Sequence, residues 1–146
     1  MIDLITYIQE SQEDKKVYVN MILLNPDKDA ILILKRANYM RKYRTMWGFP
    51  GGSLDSKDKD SKAGAIRELK EETGIELSWR EEHDCKLYDK ITNKDGSISE
   101  YWITTLEEES KIKLSREHSK YEWFEEKTKT NYKWMPDVFQ IIQKIL

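Results

Sequence analysis

Residues 51–75 read GGSLDSKDKDSKAGAIRELKEETGI, and the second half of that stretch decides how the rest of the chain is understood. From Asp60 to Glu72, Ala63, Ile66, Leu69 and Thr73 recur at helical intervals, so the spacing predicts a helix with one apolar stripe. Asp60 and Ser61 are N-cap candidates, and Gly74 stands where a left-handed C-terminal cap belongs. On this helix Glu68, Glu71 and Glu72 fall at i, i+3 and i+4, so their carboxylates share a face. Each close like-charge pair costs a helix about 0.2–0.5 kcal/mol. A divalent cation turns that repulsion into attraction, and hard oxygen ligands suit Mg²⁺ or Mn²⁺. The alternative is an ordinary solvated face, which a chain with 36% charged residues supplies freely.

The flanks of the helix separate these two readings. Trp47-Gly48-Phe49-Pro50-Gly51-Gly52 leads into the stretch, and Arg67-Glu68-Leu69-Lys70-Glu71-Glu72-Thr73-Gly74-Ile75 closes it. Together these residues resemble the signature of the Nudix hydrolase family (MutT-like), Arg-Glu-aliphatic-x-Glu-Glu-x-Gly-aliphatic behind a glycine pair. With the elements described below, the resemblance covers most of the chain. It implies an α/β fold, a Nudix-like α/β/α sandwich with a mixed central β-sheet. It also implies a Mg²⁺- or Mn²⁺-dependent enzyme that cleaves the diphosphate linkage of a nucleoside di- or triphosphate derivative by attack of water at phosphorus.

Carried over by matching positions, Glu71 and Glu72 are implied metal ligands, Gly52 offers its carbonyl to the same ions, and Glu68 is a ligand or the base. Arg67 is implied to be structural, and surface pairing one turn from Glu71 predicts the same contact. Residues Arg116 to Trp123 resemble the family loop that supplies a further acid, which makes Glu117 a candidate catalytic residue and metal ligand. A solvated Glu117 is the alternative. The pattern breaks at one place: the glutamate expected eight residues before the arginine is Lys59, in a stretch one residue longer than usual. Placing the extra residue in the loop aligns Asp58 with the absent acid, as an outer ligand or a loop-fixing acceptor.

Away from this stretch, Val17 to Leu24 and Ala30 to Lys35 are aliphatic runs around the turn signal Asn25-Pro26-Asp27-Lys28-Asp29, which predicts a β-hairpin. Lys86 to Thr92 and Ile98 to Leu106 flank Asn93-Lys94-Asp95-Gly96 and predict a second hairpin. Glu122 to Glu125 reads as one more short strand. Pro136 to Leu146 reads as a closing helix with Val138, Ile141, Ile142 and Ile145 inward. Residues Ile2 to Ile8 fit helix and strand equally. The absence of repeats and linkers predicts one domain over residues 1–146.

A balance of 25 basic against 27 acidic residues does not suggest a dedicated nucleic-acid binder, so an anionic ligand must be held locally. Lys35, Arg36, Arg41, Lys42 and Arg44 form a basic run beside Trp47, of which Arg36 and Arg44 are substrate-binding candidates. Among the aromatic residues Tyr39, Tyr43, Trp47 and Phe49, Phe49 is the base-contact candidate, with a core role as the alternative. The single cysteine, Cys85, forms no internal disulfide, and His83 and His118 lack zinc-ligand spacing. The expected setting is the cytoplasm, with no membrane span, a nucleotide-type substrate, and a monomer or homodimer. Two competing readings remain: an RNA 5′-end pyrophosphohydrolase, and a non-catalytic Nudix-fold nucleotide-binding or regulatory domain motivated by Lys59.

Overall fold

In β1 (Val17–Leu24) and β2 (Ala30–Arg36) the apolar residues do not alternate with polar ones, because both faces of both strands are buried. Val19, Met21, Leu23, Leu32 and Leu34 enter one core cluster, while Ile22, Leu24, Ile31 and Ile33 enter another on the opposite face. A computed structural model of the chain describes residues 15–128 and 131–146, so the expectation for Ile2 to Ile8 lies outside the described residues.

The first predicted hairpin is closed as expected at its turn, where Asn25 Oδ1 accepts from the backbone N–H groups of Asp29 and Ala30, both at 3.0 Å. Its two strands then part, since their pairing register is Leu24 with Ile31. β1 runs parallel to β6 (Ile98–Thr105) along all eight of its residues and antiparallel to β4 (Gly51–Ser53). β2 pairs antiparallel with β7 (His118–Glu125) and with β3 (Trp47–Gly48). A doubly buried strand has no solvated edge, so each must find neighbours that a simple hairpin lacks.

The second hairpin, β5 (Lys86–Thr92) with β6, forms where it was expected. The result is a seven-stranded mixed sheet in the order β3-β2-β1-β6-β5, with β4 attached to β1 and β7 to β2. Helix α1 (Ser61–Thr73) packs on the first core cluster through Ala65 and Leu69. Helix α3 (Val138–Ile145) covers the second through Val138, Ile141 and Ile142. This is the expected α/β/α sandwich.

Three details differ from expectation. The buried stripe of α1 is Ala65, Leu69 and Thr73 rather than one through Ala63, because the helix is rotated to bury Glu72 as well. The strand expected at Glu122 to Glu125 starts four residues earlier, at His118. A short helix, α2 (Trp79–Asp84), follows Ser78, which forms a reciprocal capping box with Glu81. Among the described residues, no helix is long and apolar enough to cross a membrane.

Candidate active site

The depth and rotation of α1 determine which of its glutamates meet. Asp60 Oδ1 accepts from the Ala63 N–H at 2.8 Å and closes the first turn. Gly74, at φ 74°, returns its N–H to the Lys70 carbonyl, a left-handed cap that a Cβ would strain. Between these ends, Ala65, Leu69 and Thr73 are fully buried and fix the helix on β1. Glu68 and Glu72 therefore turn toward β4, and Glu71, 57% exposed, points outward.

Glu72 is only 3% exposed and accepts a hydrogen bond from the Gly51 N–H at 3.0 Å. Burial, reinforced by the charges of Glu68 and Glu117, pushes its carboxyl up to about 9 against the opposing pull of Gly51 and Arg36. Glu68 lies directly on Gly52, where an added Cβ would fall 2.5 Å from Glu68 Oε1. Only glycine allows the carboxylate that close to the strand. Burial also raises the Glu68 carboxyl, with Glu71 and Glu117 adding to the shift and Arg67 opposing it.

Arg67 braces Glu68 and Glu71 from behind. Its Nε and Nη2 donate to the two oxygens of Asp58 at 2.8 and 3.0 Å, a charge-assisted fork. Nη1 donates to Glu68 Oε1 and Glu71 Oε2, each at 3.1 Å, and Nη2 reaches the Ser53 carbonyl at 3.2 Å. The guanidinium holds the Asp58 carboxyl below its ordinary value of 3.8, and Asp58 in turn raises Arg67. Asp58 also accepts from the Asp55 N–H at 2.9 Å, which closes the lengthened loop on itself. Of the two roles open to Asp58, the geometry is that of the loop-fixing acceptor, while Lys59 is exposed.

Glu117 sits on an exposed turn that the fold carries to the same place. The Lys113 and Ser115 N–H groups donate to the carbonyls of Thr73 and Glu72 at 2.8 and 3.0 Å, which ties this segment to the end of α1. The Glu117 carbonyl accepts from the Ala37 N–H at 2.8 Å. Its side-chain charge bears on both Glu68 and Glu72. Among the described residues, no three acidic, histidine or cysteine side chains form a complete cation cage. The donors present are nonetheless all hard oxygens, Glu68 and Glu72 crowded against β4 with Arg67 paired to Glu68. That set fits Mg²⁺ or Mn²⁺, which take a few carboxylates and fill the remaining positions with water and substrate phosphates.

The other candidates divide. Arg36 lies near enough for its charge to act on Glu72, and its Nε donates to the Lys42 carbonyl at 2.9 Å. Arg44 is exposed on the loop between β2 and β3. Phe49 is corrected to a core residue, since it is 5% exposed and meets Tyr101 edge-to-face at 6.0 Å, leaving no open ring face for a base. Trp47 is likewise buried and stacks on Tyr132 at 4.4 Å. Sequence reading missed His118, a buried imidazole at the start of β7 whose Nδ1 has no partner among the described residues. Burial and the nearby Arg36 lower its pKa to about 4, so it is neutral at pH 7. Tyr39, grouped in the sequence with the aromatic base-contact candidates, donates its hydroxyl to the Arg116 carbonyl and ties the basic loop to the Glu117 turn. Nothing in the local sequence signals either contact.

The NUDIX domain profile matches residues 14–142. The chain belongs to the Nudix family. It is 42% identical over 53 residues to the uncharacterized Nudix hydrolase NudL of Enterobacter sp. (strain 638), a match covering 36% of this chain and 28% of that protein. It is 39% identical over 57 residues to the m7GpppN-mRNA hydrolase NUDT17 of Danio rerio, covering 39% and 19% respectively. The chain thus spans less than a third of the length of these curated relatives. The NUDIX domain of Shewanella oneidensis NrtR, solved with ADP ribose, superposes with a TM-score of 0.72 at 16% identity, over 98% of this chain and 96% of that one. At that identity the likeness is one of fold. The Nudix signature accordingly occupies β4, the loop braced by Arg67, and α1.

Proposed function

We propose that this Nudix chain, a single domain over residues 1–146, is a pyrophosphohydrolase of the cytoplasm that cleaves the diphosphate linkage of a nucleoside di- or triphosphate derivative by attack of water at phosphorus. The observation that carries this reading is the convergence of Glu68 and Glu72 on the Gly51-Gly52 backbone, with Glu117 bearing on both. Glu68, Glu72, Glu117 and the Gly52 carbonyl are the groups that would hold Mg²⁺ or Mn²⁺, with Glu71 joining on release from Arg67. Bound there, the cation supplies charge neutralisation for adjacent phosphates and a lowered pKa for water. The chain's own residues do the rest. Arg67 keeps Glu68 oriented, and burial raises the Glu68 carboxyl, making it a stronger proton acceptor than an ordinary glutamate. Arg36 and the exposed Arg44 draw the anionic substrate toward the carboxylates.

The base and leaving group are set by loops that vary independently of the fold. ADP ribose, bound by the NrtR domain, and capped RNA, the substrate named for the Danio rerio mRNA hydrolase, therefore belong in one substrate panel with dinucleoside polyphosphates, nucleotide sugars and nucleoside triphosphates. The test is turnover of that panel with Mg²⁺ and with EDTA, products read by mass spectrometry in heavy-oxygen water. We expect label on one phosphate product, no turnover in EDTA, and a loss of about 100-fold or more in Glu72→Gln. Turnover by the wild type no higher than by Glu72→Gln overturns the enzymatic reading and leaves a nucleotide-binding domain.

A further inference from the structure

A second charged cluster lies on the face of the β2–β7 ladder opposite α1. Lys35 and Lys120 are direct cross-strand partners, so their side chains leave the same face. It is the face of Ile31, Ile33 and Phe124, whereas α1 packs on that of Leu32 and Leu34. With Lys133, Glu122 and the stacked rings of Trp47 and Tyr132, these lysines line a pocket of about 440 Å³. Small-molecule pockets run from roughly 300 to 1,000 Å³, so the space is that of a nucleotide-sized ligand rather than a bare ion.

Among the described residues the charge in this pocket is offset only in part, by Glu122. Like charges directly opposite on an antiparallel pair repel, and Lys133 adds a third. Among the described residues, none of the three ammonium groups has a carboxylate within ion-pairing distance. Glu122 accepts the Tyr132 hydroxyl instead. Three lysines against one glutamate leave a net charge of two. Edge-strand lysines deter unwanted strand pairing, which accounts for Lys120 on β7. It does not account for Lys35, on the interior strand β2, or for Lys133, which lies outside the strands.

We propose that this pocket is a second binding site, separate from the Glu68–Glu72 centre, for a nucleotide-sized anion carrying a diphosphate. Lysine ammonium groups bind phosphate as mobile point charges, two phosphates offset the net charge, and the Trp47–Tyr132 pair provides an apolar wall. The site goes beyond the proposed hydrolysis and does not depend on it.

Calorimetric titration of the full chain with inorganic pyrophosphate and with ADP, in EDTA, tests the site while the carboxylate centre is kept free of metal. We expect saturable binding that weakens with salt, is tighter for ADP, and is unchanged in Glu72→Gln. Affinity should fall at least tenfold in the Lys120→Gln/Lys133→Gln double variant and at least threefold in Lys133→Gln. Without ligand, the double variant should melt no lower than wild type, because repulsion is relieved. Should the double variant fail to fold, Lys133→Gln decides alone. Absence of saturable binding, affinity unaffected by the lysine substitutions, or loss of binding in Glu72→Gln overturns the proposal. ADP binding no tighter than pyrophosphate overturns its nucleotide-sized part.

Discussion

Asp58 is the residue through which the departure at Lys59 is accommodated. Both of its oxygens receive Arg67, so the loop remains anchored to α1 although its acid is one position displaced and one methylene shorter than a glutamate. Asp58→Asn should lower Tm by about 2–4 °C at pH 7, the effect of losing roughly 1 kcal/mol at this chain length. The sign of its pH dependence follows from the depressed folded-state pKa. The contribution is complete above the ordinary value of 3.8 and is lost as pH falls through the lower folded value. Melting curves should therefore show the gap between wild type and Asp58→Asn closing below about pH 4; a gap constant from pH 7 to 3 excludes the ion pair as its cause. Cys85 offers an independent check on the core: burial pushes its thiol up to about 11. A disulfide reagent at pH 8 should label it at least 100-fold more slowly in the native chain than in denaturant. Equal rates would mean that the packing around it is open. Of these residue-scale facts, the alignment of Asp58 with the missing acid followed from the family resemblance, but which of its two roles it fills needed the position of the guanidinium.

At the scale of elements, α1 illustrates how far local signals reach. Its caps at Asp60 and Gly74 were legible because they depend only on the chain within a turn of each end. A Cβ added at Gly74 would make only ordinary van der Waals contact, its nearest neighbour being Lys113 Cβ at 3.7 Å, so any cost of Gly74→Ala is conformational. We expect a loss of about 1 kcal/mol, seen as a Tm decrease of roughly 2–4 °C, from placing a Cβ at φ 74°. An unchanged Tm would show that the cap relaxes. The rotation of α1 was not legible, since Ala63 and Ala65 fit an apolar stripe about equally and only packing on β1 selects Ala65. The capping box at Ser78 and Glu81 was present in the sequence, but six helical residues offer no periodicity to go with it. β3 and β4, two and three residues long and rich in glycine, carry no strand signal at all.

In the whole molecule, residues distant in the chain are gathered at one end of β1. Gly51-Gly52 is held by β1, Glu68 and Glu72 by α1, Arg36 by β2, and Glu117 by the turn before β7. The assembled negative charge predicts a response to metal. A cation that binds only the folded chain should raise Tm by several degrees at millimolar Mg²⁺, with the gain removed by EDTA and absent in Glu72→Gln. Equal melting with and without Mg²⁺ would count against the carboxylate site. By itself the sequence determined the family, the α/β/α class, the second hairpin, both long helices and the three helix glutamates, because these rest on local spacing and on patterns confined to short stretches. Tertiary structure alone decided the parting of β1 from β2, the burial of Glu72, the core position of Phe49, and the approach of Glu117 and His118. Those outcomes depend on which surfaces meet across the sheet, and contacts of that kind leave no periodic trace along the chain.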